Sequence, residues 1–125
     1  MTTTDLTGIE ATLDRYVSVW NEPDVERRRA LIAELWAPDA VYANASTAYR
    51  GHEEIAVGVS RSHDRWVGSG HRFAAAGVAG AHHDVARFVW HMFGPGGGEP
   101  VSVGTNFITF DDAGRIVADM QFIDR

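Results

Sequence analysis

The hydrophobic period of this chain changes once, near residue 70, and that change restricts the fold more than any other feature. Before it, apolar residues recur at helical spacing: Leu6, Ile9, Leu13, Tyr16, Val17 and Trp20, then Leu31, Ile32, Leu35 and Trp36, then Ile55, Val59 and Trp66 with Ser62 between them. Asn21-Glu22-Pro23 ends the first helix, Asp24 caps the second, Pro38 stops it, Gly51 opens the third and Gly68-Ser69-Gly70 closes it. A short strand, Ala40 to Asn44, and a polar turn fall between the second and third helices. After the change the period is two. His71 to Val78, Asp84 to Phe93, Val101 to Asp111 and Arg115 to Asp124 read as strands, separated by Gly80-Ala81-His82, Gly94-Pro95-Gly96-Gly97-Gly98 and Asp111-Asp112-Ala113-Gly114. Connections this short join antiparallel neighbours. Helices first and a meander after imply an α+β domain, with a strongly curved, mainly antiparallel sheet wrapped around three N-terminal helices.

Composition narrows the class. A chain of 125 residues with 45% hydrophobic and 22% charged residues is expected to form one domain, 1–125, around a single core. No apolar run reaches the length of a membrane helix, the N-terminus lacks the basic start and apolar block of a signal peptide, and there is no cysteine, so the expected compartment is the cytoplasm. Every basic residue is Arg and the formal net charge is -6, which disfavours attraction to nucleic acid. The Arg27-Arg28-Arg29 run lies among Glu26 and Glu34 and reads as a solvated helix face rather than an anion site. Without Lys there is neither a Schiff-base nor a phosphate-loop lysine. The six histidines show no metal-ligand spacing, so neither metal nor cofactor is expected. His63 borders the apolar face of the third helix, where it is either a proton carrier reaching a pocket or a helix-edge histidine.

Several local strings, in order, resemble the nuclear-transport-factor-2-like superfamily in its SnoaL-like and ketosteroid-isomerase-like branch. They are Asp14-Arg15-Tyr16-Val17-Ser18-Val19-Trp20-Asn21, Leu35-Trp36-Ala37-Pro38-Asp39-Ala40, Arg50-Gly51-His52-Glu53-Glu54-Ile55 and Asp112-Ala113-Gly114-Arg115-Ile116. The resemblance implies a cone-shaped α+β barrel and a shared architecture that hosts isomerases, dehydratases, epoxide hydrolases, cyclases and noncatalytic binding modules.

Carried over residue by residue, the resemblance makes Tyr16 an oxyanion donor, but it places Asn44 where the steroid isomerases hold their aspartate base, Asn106 at their second, acidic donor and Val59 at a further pocket tyrosine. An amide cannot take a proton from carbon, so steroid enolisation by that route is not expected. Tyr42 and Asn44 match the water-orienting pair of the epoxide hydrolases of this fold, whereas Gln121 replaces an aspartate they need and Arg87-Phe88-Val89 meets their middle-strand pattern only in part. The SnoaL-type cyclases rely on a carboxylate in an apolar pocket, and Asp119 is the candidate here.

Strand parity decides the place of Asp119. The resemblance turns Val117, Asp119, Gln121 and Ile123 inward and Ile116, Ala118, Met120 and Phe122 outward, which leaves an apolar outer face suited to a homodimer. The opposite parity puts Met120 and Phe122 in the core and Asp119 in solvent. On the middle strand Ala86, Phe88, Trp90 and Met92 should face inward, so that Trp20, Trp36, Phe88 and Trp90 form either a pocket wall or plain core.

The expected function is a cofactor-independent SnoaL-like enzyme of isomerase, cyclase, hydrolase or dehydratase type. In it Tyr16, Asn44 and Asn106 donate hydrogen bonds to a hydrophobic ligand and Asp119 or His63 moves the proton, with Trp20, Trp36, Tyr42, Val59, Phe88, Trp90 and Gln121 around the ligand. The alternative is a noncatalytic ligand-binding or accessory dimer that lost its carboxylates. A third reading, a protein-recognition module, requires a filled cavity.

Overall fold

A computed structural model describes residues 6–125, with side chains from Gly8 onward. The first helix, α1 (Leu6–Asn21), buries Ile9, Leu13, Tyr16, Val17 and Trp20 along one stripe. Its last residue ties it to the sheet, because the Asn21 amide donates to the Phe73 carbonyl at 2.8 Å and accepts from the Phe73 N–H at 2.9 Å. Asp24 caps α2 (Val25–Leu35) by accepting from the Glu26 N–H at 3.0 Å. The helix ends at Leu35, earlier than Pro38 alone suggested, and the chain passes directly into β1 (Trp36–Ala43). Pro38 sits in that strand where its register against β6 shifts between Trp36 and Val41, an irregularity that spares a backbone donor.

The polar turn expected after β1 occupies less chain than the spacing suggested. Asn44 closes it by accepting from the N–H groups of Ser46 and Thr47, and Ala48–Arg50 then pairs back on β1 as a short antiparallel strand, β2. Helix α3 (Gly51–Arg65) follows and ends in a single 3-10 turn, with Gly70 in the left-handed conformation at φ 94°. The long strand β3 (Arg72–His82) includes Gly80-Ala81-His82, which spacing alone had made a connection. The reversal lies one step later, with His83 at φ 53°. Register shifts at Ala75/Gly77 and Val78/Gly80 bend β3 along its length. Strands β4 (Val85–Phe93), β5 (Ser102–Phe110) and β6 (Ile116–Ile123) complete the meander.

The sheet order is β2-β1-β6-β5-β4-β3, and all neighbours are antiparallel except β1 and β6. This parallel pairing of the first long strand with the last sets Tyr42 beside Asp119, two residues 77 positions apart in the numbering. The result is the three-helix, six-strand α+β cone. The helical stripes and the inner faces of β1, β4, β5 and β6 share one core, built on Leu13, Trp36, Ile55, Val59, Phe88 and Ile108.

On β6 the inward residue is Asp119, fully buried, while Phe122 stays half exposed. Strict alternation fails at both ends of the strand. Ile116, placed outside by parity, is fully buried beside the register shift at Thr109/Phe110, and Ile123, placed inside, is exposed where the strand leaves the sheet.

Candidate functional site

Between α1, α3 and the concave face of the sheet lies a cavity of about 750 Å³. Tyr16 and Trp20 reach it from α1, Tyr42 and Asn44 from the end of β1, Tyr49 from β2, Phe73 from β3, Trp90 and Met92 from β4, and Gln121 from β6. Its volume suits a ligand of a few fused rings, and its wall is largely aromatic.

Behind this wall is a closed polar network. The Tyr16 hydroxyl donates to Asp119 Oδ2 at 2.7 Å, and Asn106 Nδ2 donates to Asp119 Oδ1 at 2.7 Å and to the Tyr16 oxygen at 2.8 Å. Trp90 Nε1 donates to Asn106 Oδ1 at 2.8 Å, which fixes the amide with its NH₂ toward the acid. Trp90 takes this position because it lies against Gly104, its partner across the β4–β5 ladder, where any Cβ would overlap the indole at 2.0 Å. Tyr16 is held from the other side by Trp36 and Phe88, whose rings sit 5.4 and 5.8 Å from its own.

Electrostatics follow from burial. Asp119 and Asn106 are fully buried, and no cation contacts the carboxylate among the described residues. Loss of hydration therefore raises the Asp119 pKa to about 7, against the opposing pull of hydrogen bonds from Asn106 and Tyr16 and the nearby Trp36 indole. That indole N–H is buried without a partner at strict hydrogen-bond geometry, so its influence is that of a nearby dipole. Burial, and then the Asp119 charge, raise the Tyr16 and Tyr42 hydroxyls above the usual tyrosine range.

The remaining candidates separate into wall, core and elsewhere. Trp20, Tyr42, Trp90 and Gln121 line the cavity with Tyr16 and Asn44, whereas Trp36, Val59 and Phe88 are fully buried behind it. Asn106 points at Tyr16 and Asp119 rather than at the cavity, and the Asn44 carbonyl oxygen is spent on the Ser46–Thr47 turn. Tyr16, Asn44 and Asn106 do not converge on one ligand oxygen: the Tyr16 hydroxyl and the Asn106 amide N–H groups donate within the buried network, Asn106 does not line the cavity, and Asn44 reaches the cavity from its turn. His63 lies outside the wall, near Asn21, Glu22 and Arg28, where burial and the Arg28 charge lower its pKa.

Sequence reasoning passed over Tyr49, Arg61 and Arg65 and placed Ser62 only on the apolar side of the third helix; all four line the cavity. Tyr49 stacks on Tyr42 at 5.9 Å and 15° and rests against Gly58, a close approach that a side chain there would obstruct. The signal available was the helical spacing of Gly58, Arg61, Ser62 and Arg65. Among the described residues no cluster of His, Asp or Glu could hold a metal ion, and no helix is long and apolar enough to cross a membrane.

Comparison with known proteins places this geometry. A SnoaL-like domain model matches residues 13–118. A protein from Agrobacterium tumefaciens described as a candidate isomerase of the SnoaL-like family is 30% identical, with 95% of this chain and 99% of that one covered and a TM-score of 0.87. A candidate polyketide cyclase from Sinorhizobium meliloti is 18% identical over 95% of this chain and 100% of that one, with a TM-score of 0.69. An NTF2-like protein of unknown function from Mesorhizobium loti is 20% identical over 98% of this chain and 96% of that one, with a TM-score of 0.68. The last two likenesses show the fold alone. No curated protein matches the chain.

Proposed function

This chain belongs to the SnoaL-like family, and on that premise we propose that it is a small-molecule enzyme that holds a hydrophobic ligand in the cavity and moves a proton by acid–base chemistry through Tyr16 and Asp119. One observation carries the reading: a fully buried carboxyl with a pKa raised to about 7 is 2.7 Å from the hydroxyl of a residue that lines the cavity. A group that titrates near neutrality is an efficient acid and base at that pH. With Asp119 ionised, Tyr16 can accept a proton from the ligand while passing its own to Asp119. With Asp119 protonated, the acid donates to the Tyr16 oxygen, and the phenolic hydrogen turns to a carbonyl or enol oxygen of the ligand. Returning the proton at a second ligand atom completes an isomerisation or closes a ring. Asn106, locked by Trp90, stays a donor in both states and holds the pair in line.

The alternative, a noncatalytic binding module, draws on the fact that Asp119 does not itself line the cavity. Solvent exchange distinguishes the two. A polycyclic ketone that binds should exchange its α-hydrogens in D₂O at least about a hundredfold faster with the protein than without it, and Asp119→Asn should retain binding and lose exchange. Binding with no exchange by the unaltered protein would favour the binding module.

The proposal extends to a homodimer. On the outer face of β5 and β6, the Phe107 and Phe122 rings lie 5.2 Å apart, tilted at 53°, and are 47% and 50% exposed, an apolar patch that a second copy would cover. A monomeric mass in light scattering for the unaltered protein would contradict it.

A further inference from the structure

Outside the buried network, the charge on the cavity wall has one sign. Arg61 and Arg65 line the cavity, and among the described residues no Asp or Glu does, in a chain whose formal net charge is -6. Helix α3 brings this about: Gly58, Arg61, Ser62 and Arg65 follow the i, i+3, i+4, i+7 spacing of one helix face, and all four face the cavity. Both arginines are exposed as well as lining, which puts them at the mouth, away from the fully buried Asp119.

Among the described residues, neither guanidinium is neutralised by an acid. The ion pairs among the described residues are Arg27–Glu22 and Arg29–Glu53, both made by arginines of α2. Arg65 instead lies 4.7 Å over the ring of Trp66, another wall residue, a cation–π contact that does not neutralise its charge. Arg61 also borders a smaller groove of about 210 Å³ beside Asp64, so it stands on the ridge between the two depressions.

We infer that the ligand of this cavity is an apolar ring system bearing a carboxylate, with the rings among Trp20, Phe73 and Trp90 and the carboxylate at the mouth on Arg61 and Arg65. The inference rests on the reading of the cavity as a ligand site. Paired guanidiniums match a carboxylate in a way that a neutral or cationic group does not. Their local field also offsets the repulsion that an acidic protein exerts on an anion. The placement serves the chemistry too, since it holds the ligand's charge at the end of the cavity opposite Asp119, where a second anion would oppose ionisation of the acid.

Fluorescence titration with 9-anthracenecarboxylate and its neutral amide, 9-anthracenecarboxamide, separates this inference from the reading beneath it. The carboxylate should bind about tenfold more tightly than the amide, a difference of about 1.4 kcal/mol. That preference should shrink as salt is raised and vanish in the Arg61→Gln/Arg65→Gln variant. Equal affinity for the two probes would overturn the inference while leaving the cavity a ligand site. A preference that survives the double substitution would overturn the assignment to these arginines. Binding of neither probe at millimolar concentration, in a cavity of this volume, would count against the ligand-site reading and the inference together.

Discussion

The two ends of the cavity are built in opposite ways. At the inner end Tyr16, Asn106, Asp119 and Trp90 come from one helix and three adjacent strands, each polar group has its partner within the protein, and Asn106 and Asp119 are fully buried. At the mouth, Asn44, Tyr49, Arg61 and Arg65 come from a turn, a three-residue strand and the cavity face of α3, and all are at least partly exposed. The inner end can hold a proton at a fixed place because nothing there needs to rearrange. The arginines of the mouth can vary without disturbing the fold, so they are where ligand preference would be set. Changes at the inner end should therefore alter chemistry and stability together, and changes at these arginines should alter affinity alone.

The largest expected effect is on turnover. Asp119→Asn should reduce solvent exchange of a bound ketone by about a hundredfold or more while leaving its affinity within about threefold, as read by NMR exchange and fluorescence titration. The same substitution should stabilise the protein at pH 8 in urea melts, because it removes a buried carboxylate that no cation neutralises.

Next is the pH dependence of stability. The folded pKa of Asp119, about 7, lies above the ordinary 3.8, so between these values the folded state binds more protons than the unfolded one. The Asp119 contribution is then complete below about pH 4 and is lost as pH rises through about 7, a decline of up to a few kcal/mol. In Asp119→Asn this part of the slope should be absent. A slope identical in the two proteins would break the comparison at its inner end.

A smaller effect is expected at the positioning layer. Gly104→Ala would drive a methyl into the Trp90 indole, and it should destabilise the fold by about 1–3 kcal/mol. Smaller still, Asn44→Ala loses the turn that leads into β2 and should cost about 1 kcal/mol. Arg61→Gln and Arg65→Gln should shift stability by no more than about 0.5 kcal/mol. A larger loss from either arginine would mean that the mouth is structural after all.

The sequence carried the helices almost whole, since their stripes repeat through several turns and their ends are marked by Asp24, Gly51 and Gly70. It carried the later strands by alternation but erred where backbone geometry sets the boundary. Pro38 was compatible with a strand once the register shifted, and β3 ran through Gly80 because its bulges need small residues. The parallel pairing of β1 with β6 had no local signal, as it joins segments separated by most of the chain. Parity left Asp119 open because Met120 and Phe122 made the other face the more apolar one, and periodicity alone cannot distinguish a core face from an exposed apolar one. Trp36 and Phe88 were legible as interior aromatics, but only packing shows that Tyr16 stands between them and the cavity. Nothing in the sequence singled out Arg61 and Arg65; only the seating of α3 against the sheet brings them to the cavity.

The central claim is that Asp119 stores a proton near neutral pH beneath Tyr16. A carbon-13 titration of the Asp119 side-chain carboxyl measures it without any substrate. The expected midpoint is near 7, moving upward in Asn106→Ala, which removes a hydrogen bond that favours the ionised form. A midpoint near the ordinary 3.8, unmoved by that substitution, would contradict the account.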